Sequence, residues 1–232
     1  MISMLLPVRK NSKFFSKWII TYMAHTRSLN YSFNPYTELI IMASQEDTWN
    51  RDIFNYYHLN VVYENKNVGH EGRYMFWNDM AKLAKGDWLW YVCDDHYLYD
   101  GYDEKLHRFI EDNKISSKEI NCIIPRVENS GWITHIISRK WYETLGHFGL
   151  HGNIDSYINR TIERMIIRKI HLMNDPILYD YTLDNPMTPE HSSITIDKDF
   201  ISYPFGSKEV EANIDDDARK LYQEILKEHG TI

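Results

Sequence analysis

Apolar positions along this chain repeat with two periods. "ISMLLPV" (2–8) is a short apolar run interrupted by Pro7 and reads as a buried strand. In "KFFSKWIITYM", Phe14, Phe15, Trp18, Ile19, Tyr22 and Met23 recur at helical spacing and predict an amphipathic helix. "ELIIMA" (38–43) is a second strand, 47–58 a helix, and "NVVYEN" (60–65) a third strand. Tyr74, Trp77, Ala81 and Ala84 share a helical face, and Gly86 is expected to end that helix as its C-cap. "WLWYVC" is the fourth strand, followed by a helix over 103–112. Beyond it, "NCIIPRV" and "THIIS" read as strands and "RKWYETLG" as a short helix. A longer helix starts at Ile154, with Ile154, Ile158, Ile162, Met165 and Ile166 on its apolar face. The proline-rich stretch 172–205 predicts loop with one or two short strands, and Val210, Ile214, Leu221 and Ile225 mark a closing helix.

Strands apolar on both faces, alternating with helices, predict an α/β fold with a mainly parallel sheet flanked by helices, in one domain over 1–232. Such sheets bind ligands at the carboxyl ends of their strands. Asp94 and Asp95 follow directly on the fourth strand, in "CDDH".

Composition narrows the function classes. A net charge of −7 supplies no global basic field for a nucleic-acid backbone, although a local basic face remains open. Arg164, Arg168 and Lys169 are one such candidate strip, for a phosphate-bearing acceptor such as DNA, or simply a solvated helix face. Aromatics reach 14%, with 17 Tyr. They either line a carbohydrate or nucleotide site or reflect a low-GC genome, bacterial or phage. Cys93 and Cys122 form no CxxC pair, which excludes a zinc cluster and a disulfide framework and points to a reducing, cytoplasmic location. "MISMLLPVRK" has too short an apolar run for a signal peptide, and no stretch is long enough to span a membrane.

Two adjacent carboxylates at a strand end are either a solvated turn or a place to hold a hard cation. The surrounding segments bear on that choice. "LLPVRKN" ends the first strand in Pro-x-Arg, and "ELIIMASQED" forms the second. "NVGHEGRYMFWNDMAKLAKGDW" carries Asn78, Ala84, Gly86 and Asp87 at the spacing N-x5-A-x-G-D, and "CDDH" closes the next strand. In order and spacing these four segments resemble the GT-A (Rossmann-like) glycosyltransferases, in particular the large inverting family 2 type. The resemblance covers the first hundred residues well and the remainder loosely.

It implies a nucleotide-sugar-binding half over 1–100, an acceptor-binding half over 101–232, and a Mn²⁺ or Mg²⁺ cofactor. By this resemblance Pro7, Val8, Arg9, Ser44, Glu46, Asp47, Arg73, Asn78 and Asp94 bind the nucleoside-diphosphate sugar donor. Asp95 holds the metal, with His96 and a loop histidine, His191 or alternatively His171, as further ligands. The sequence departs from the family in three places. Ala43 stands where the second strand often ends in Asp, Trp77 where an Arg is usual, and Cys93 where the first Asp of a DxD motif falls.

The acceptor hydroxyl needs a base. "LGHFGLHGNIDSYINR" resembles the family's acidic segment, with Ile154 replacing its first acid, so that Asp155 is the candidate base or else an N-cap. Trp132, Arg139 and Lys140 resemble acceptor-side residues; the two cations would hold a diphosphate or anionic acceptor, or form a solvated helix start. The expected partners are a nucleotide-sugar donor and an acceptor glycan or other hydroxyl-bearing molecule, a modified DNA base included. Two alternatives stand beside transfer: a catalytically silent nucleotide- or carbohydrate-binding protein of the same fold, and a sugar-phosphate nucleotidyltransferase. The latter usually opens with a Gly-rich loop that "LLPVRKNSKFF" lacks.

Overall fold

Strand β1 (Ile2–Val8) lies between β2 (Thr37–Ser44) and β4 (Trp88–Tyr91), and both pair with it in parallel. β3 (Val61–Glu64) adds in parallel outside β2. On the other side of β4 the sheet continues with β7 (Ile136–Ser138), β6 (Cys122–Glu128), β8 (Ile170–Asp180) and β5 (His96–Leu98). This computed structural model describes residues 1–8, 14–27, 36–45, 50–64, 72–128, 134–167, 169–180 and 205–230.

The first four strands are parallel, as expected from their two-sided apolarity. The second half is mixed, with β7 antiparallel to both β4 and β6, and β5 antiparallel to β8. Chain order runs from β1 outward to β3, then crosses back past β1 to β4. The direction of winding therefore reverses at β1 and β4, and the crevice at their carboxyl ends is the place where such sheets bind ligands.

Alternation along the strands sorts the core into two layers. Met4, Leu6, Val8 and Trp90 pack with α1 (Phe15–His25), α2 (Arg51–Tyr56) and α4 (Tyr102–Asp112) through Trp18, Phe54 and Leu106. Leu5, Met42, Leu89 and Tyr91 pack on the opposite face with α3 (Tyr74–Leu83), α5 (Arg139–Leu145), α6 (Ile154–Arg164) and α7 (Lys208–Glu228). None of the described helices is long and apolar enough to cross a membrane.

Three local expectations need correction. Helix α3 stops at Leu83 with Ala84, not Gly86, as its C-cap. Gly86 is required for a different reason: a Cβ there would lie 2.4 Å from Ser3 Oγ, 2.7 Å from Ser3 N and 2.9 Å from Met1 O. The start of β1 packs directly on this backbone, so Gly86→Ala should cost about 1–3 kcal/mol as an overpacking change. Urea denaturation would read this as a lower midpoint, and an unchanged midpoint would contradict the close approach.

Helix α6 ends at Arg164, where Met165 turns extended, so Ile166 leaves the predicted apolar face and is 79% exposed. The stretch read as loop from 172 begins instead as the long strand β8. Pro176 misled the pattern; it sits at an irregularity where the β6–β8 register shifts, a position that tolerates a missing N–H.

Candidate active site

β4 carries the motif to the crevice because its four residues are all buried, and the strand continues far enough for Val92 N–H to donate to Leu5 O of β1. The chain then turns, with His96 N–H donating to Cys93 O at 3.4 Å. Cys93 is half-buried and packs against the core layer that contains Tyr91. Asp94 is buried and Asp95 largely so. Among the described residues Asp95 Oδ1 is fully buried with no hydrogen-bond partner, and the His96 imidazole Nδ1 lies 4.0 Å from it. An orphaned carboxylate oxygen beside an imidazole is a donor set that fits Mn²⁺, and the oxygen alone fits Mg²⁺. Among the described residues no three His, Cys, Asp or Glu side chains gather to form a complete cage, so diphosphate oxygens and water would have to complete the coordination.

Pro7 and Val8 end β1 at the same crevice. Val8's side chain is in the core, which leaves its backbone to meet a ligand. Ser44 ends β2, half-buried, opposite Glu64. Arg9, Glu46, Asp47, Trp132 and His191 lie outside the described residues. Arg73 and Asn78 hold the loop between α5 and α6. Asn78 Nδ2 donates to Gly149 O at 2.9 Å, its Oδ1 accepts from Phe148 N–H at 2.6 Å, and Arg73 Nε donates to Gly152 O at 3.2 Å.

That loop delivers Asp155. The N-cap of α6 is Asn153, and Asp155 stands in the first turn, so it is not the cap. Ile154, replacing the family's first acid, is buried against Gly149, where a built Cβ would meet its Cδ1 at 2.3 Å. Asp155 is thus the one carboxylate of that pair. One turn further along α6, Asn159 Oδ1 accepts from His135 Nε2 at 2.9 Å, and Tyr91 OH donates to His135 Nδ1 at 3.0 Å. Burial, opposed in part by the Asn159 hydrogen bond, pulls His135 down to about 4, so it is neutral in this relay. Burial first and then the nearby charge of Asp155 hold the Tyr91 phenol far above its usual range. The relay ties the end of β4 to the helix face that carries Asp155. No sequence signal pointed to Tyr91, His135 or Asn159, which are far apart along the chain.

Two groups of candidates are not at this site. Arg139 and Lys140 follow β7 at the amino end of β4, where Ser138 opposes Trp88. At about 3.3 Å per residue this is roughly 20 Å from Asp94. Arg139 donates to Gly86 O, Ala84 O and Ala81 O, satisfying carbonyls at the end of α3, and Lys140 pairs with Glu224. These cations cap and pin helices at the sheet end opposite Asp94. Arg139→Ala should cost about 1–3 kcal/mol, seen in urea denaturation, with unchanged nucleotide affinity. Weakened nucleotide binding without lost stability would contradict this assignment. His171 bonds Asn121 at the start of β8, roughly 25–30 Å along the strand from the end that pairs with His96. It is too distant to share a metal with Asp95. The basic strip is likewise neutralised where described, Arg164 by Glu211 and Asp215, Lys169 by Glu119 and Glu228.

A parallel half-sheet with its switch point at β1 and β4, an acidic turn there and a mixed second half match the GT-A fold seen in solved glycosyltransferases. Similar solved structures include Staphylococcus aureus TarS 1–349 in complex with UDP-GlcNAc, 13% identical over 100% of this chain and 73% of that one, with TM-score 0.66. The mannosyltransferase PcManGT from Pyrobaculum calidifontis, in complex with GDP-Man and Mn²⁺, is 11% identical over 78% of this chain and 56% of its own, with TM-score 0.60. Glucosyl-3-phosphoglycerate synthase from Mycobacterium tuberculosis, with Mn²⁺, UDP and phosphoglyceric acid, is 13% identical over 100% and 79%, with TM-score 0.53. Against a longer TarS structure the match spans only 37% of that chain. At these identities the likeness is one of fold. No protein-family model matches the chain, and no curated protein sequence does.

Proposed function

We propose that this chain is a divalent-metal-dependent, inverting glycosyltransferase that moves a sugar from a nucleoside-diphosphate sugar to an acceptor hydroxyl. The observation that carries the proposal is the buried Oδ1 of Asp95, unpartnered among the described residues, at the carboxyl end of β4 next to His96 and the switch point. A buried carboxylate oxygen without a partner is costly, and a site of this kind is retained where a ligand satisfies it. The neighbours solved with Mn²⁺ and with UDP, UDP-GlcNAc or GDP-Man support the same assignment.

In this reading Asp95, with His96 beside it, would hold Mn²⁺ or Mg²⁺, which neutralises charge on the departing diphosphate. Asp94 orients the ribose or sugar of the donor. The backbone at Pro7 and Val8, together with Ser44, lines the nucleotide end, where Arg9, Glu46 and Asp47 are further candidates. Asn78 and Arg73 act one step removed, by fixing the loop that positions Asp155. Asp155 takes the proton from the acceptor hydroxyl as its oxygen bonds the anomeric carbon from the face opposite the breaking bond to phosphate, which inverts that centre. Trp132 and His191 remain candidates for the acceptor side and the metal.

Calorimetric titration of UDP, GDP, CDP and dTDP, each with Mn²⁺ and with EDTA, tests the proposal. Binding of one nucleotide that EDTA abolishes is the expected result. No binding of any nucleotide in Mn²⁺ would overturn it.

A further inference from the structure

We infer that His135 is a positioning residue for the reaction: by joining the Tyr91 phenol to Asn159, it holds Asp155 in one orientation relative to the acidic turn. The inference rests on the transferase reading and concerns how its base is aimed.

Strand pairing brings the three residues together. β7 runs antiparallel to β4 with Ile136 opposite Trp90, so His135 continues the ladder beside Tyr91. Thr134 clips this end of the pair: Trp90 Nε1 donates to its Oγ1 at 3.0 Å, and that hydroxyl donates to Tyr91 O at 3.1 Å. The Tyr91 ring meets Trp77 of α3 and Phe148 of the loop before α6 edge-on, each with 5.8 Å between centroids. Trp77, where the resemblance expects Arg, thereby helps to fix the phenol. Asp94 follows Tyr91 by three residues and Asp95 by four. On α6, Asn159 stands four residues after Asp155, so the two side chains are neighbours on one helix face. A single imidazole therefore bridges the strand end that leads to the acidic turn and the helix row that carries the base.

Donors and acceptors fix the state of that bridge. The amide oxygen of Asn159 only accepts, so His135 carries its proton on Nε2. Nδ1 is then bare and accepts from the Tyr91 hydroxyl. His135 is fully buried and Tyr91 nearly so, and removing either neighbour would strand a nitrogen of the imidazole. The three side chains thus favour one arrangement that satisfies them all. Apolar packing of Ile154, Ile158 and Ile162 is non-directional, whereas two hydrogen bonds in series restrain how α6 slides and turns. A misplacement of about 1 Å can cost about a hundredfold in rate, so this restraint bears on kcat and leaves the nucleotide end of the crevice alone. Burial keeps the imidazole neutral at ordinary pH, so the bridge holds its state there.

The test uses the full chain with Mn²⁺ and a panel of UDP-, GDP-, CDP- and dTDP-sugars, and follows nucleotide release with mixed oligosaccharides as acceptors. Asn159→Ala is expected to lower kcat by about tenfold to a hundredfold, with donor KM and nucleotide affinity within about twofold of the parent. The same change in an Asp155→Asn background should alter kcat by less than about threefold, because no base is left to aim. A purely structural role would give equal losses in both backgrounds. Long-range ¹H–¹⁵N NMR, with His135→Asn assigning the signal, should show a neutral imidazole protonated on Nε2 at neutral pH. Tyr91→Phe, which deletes one hydroxyl, carries the test if a thermal melt shows Asn159→Ala unfolded. A kcat for Asn159→Ala within about twofold of the parent, equal losses in both backgrounds, or a proton on Nδ1 overturns the inference. Parent turnover separates the two levels. A parent that turns over no donor removes the transferase reading, whereas an active parent indifferent to these variants removes this inference alone.

Discussion

An Asp95→Ala protein should lose metal-dependent nucleotide binding and sugar transfer together, and should fold at least as stably as the parent. The activity loss is expected to be on the order of a thousandfold or more, since removing the ligand forfeits several kcal/mol of charge stabilisation and each 1.4 kcal/mol is a factor of ten. The stability expectation comes from the same atom. Among the described residues Asp95 Oδ1 is buried without a hydrogen bond, a situation that costs about 1–3 kcal/mol. Alanine removes that cost at a site only partly open to solvent. A structural carboxylate would behave in the opposite way, since deleting it would strand its partners and lower the melting temperature. Thermal melts without metal and calorimetry with Mn²⁺ read the two effects independently. Retained metal-dependent nucleotide binding in the variant would remove Asp95 from the metal site and with it the main support for the function proposed.

Asp155→Asn is the second large effect. As general base, Asp155 should contribute roughly 10²- to 10⁴-fold to the rate. Asparagine has nearly the same shape and cannot take a proton, so kcat should fall by that factor while the nucleotide titration remains as in the parent. The substitution isolates chemistry from folding for two reasons. The cap of α6 is Asn153, so no capping interaction is altered. The lost interaction of a negative charge with the helix N-terminus is worth only about 0.3–1 kcal/mol. Single-turnover transfer from the nucleotide sugar that calorimetry identifies would measure the loss, and a kcat within a few-fold of the parent would disqualify Asp155. The catalytically silent reading makes a different prediction, nucleotide binding without turnover in the parent itself.

Much of this architecture was legible in the residue pattern. The strands β1 to β4 and helices α1, α3 and α7 appear where periodicity puts them, because each buries a stripe or face whose spacing is local. The acidic turn was legible too, since a buried run ending in two carboxylates conflicts with burial unless something meets them. Pro176 shows where the pattern fails: a proline is a loop signal in sequence, yet here a register shift between β6 and β8 accommodates it inside a strand. Gly86 shows a second kind of failure. Its identity was noticed but its reason was not, because the atoms that exclude a Cβ belong to Met1 and Ser3, more than eighty residues earlier.

By itself, then, the sequence determined the α/β class, the faces of its helices, the two-carboxylate motif and its place at a strand end. Those are properties of local spacing and of the cost of burying charge. Tertiary structure alone decided which residues share that place. Strand order set Arg139, Lys140 and His171 at remote ends of the sheet. It also joined Tyr91 to His135 and Asn159. The physical reason is that periodicity tells a side chain which face to occupy, whereas register and strand order, set by long-range packing, decide what it meets there.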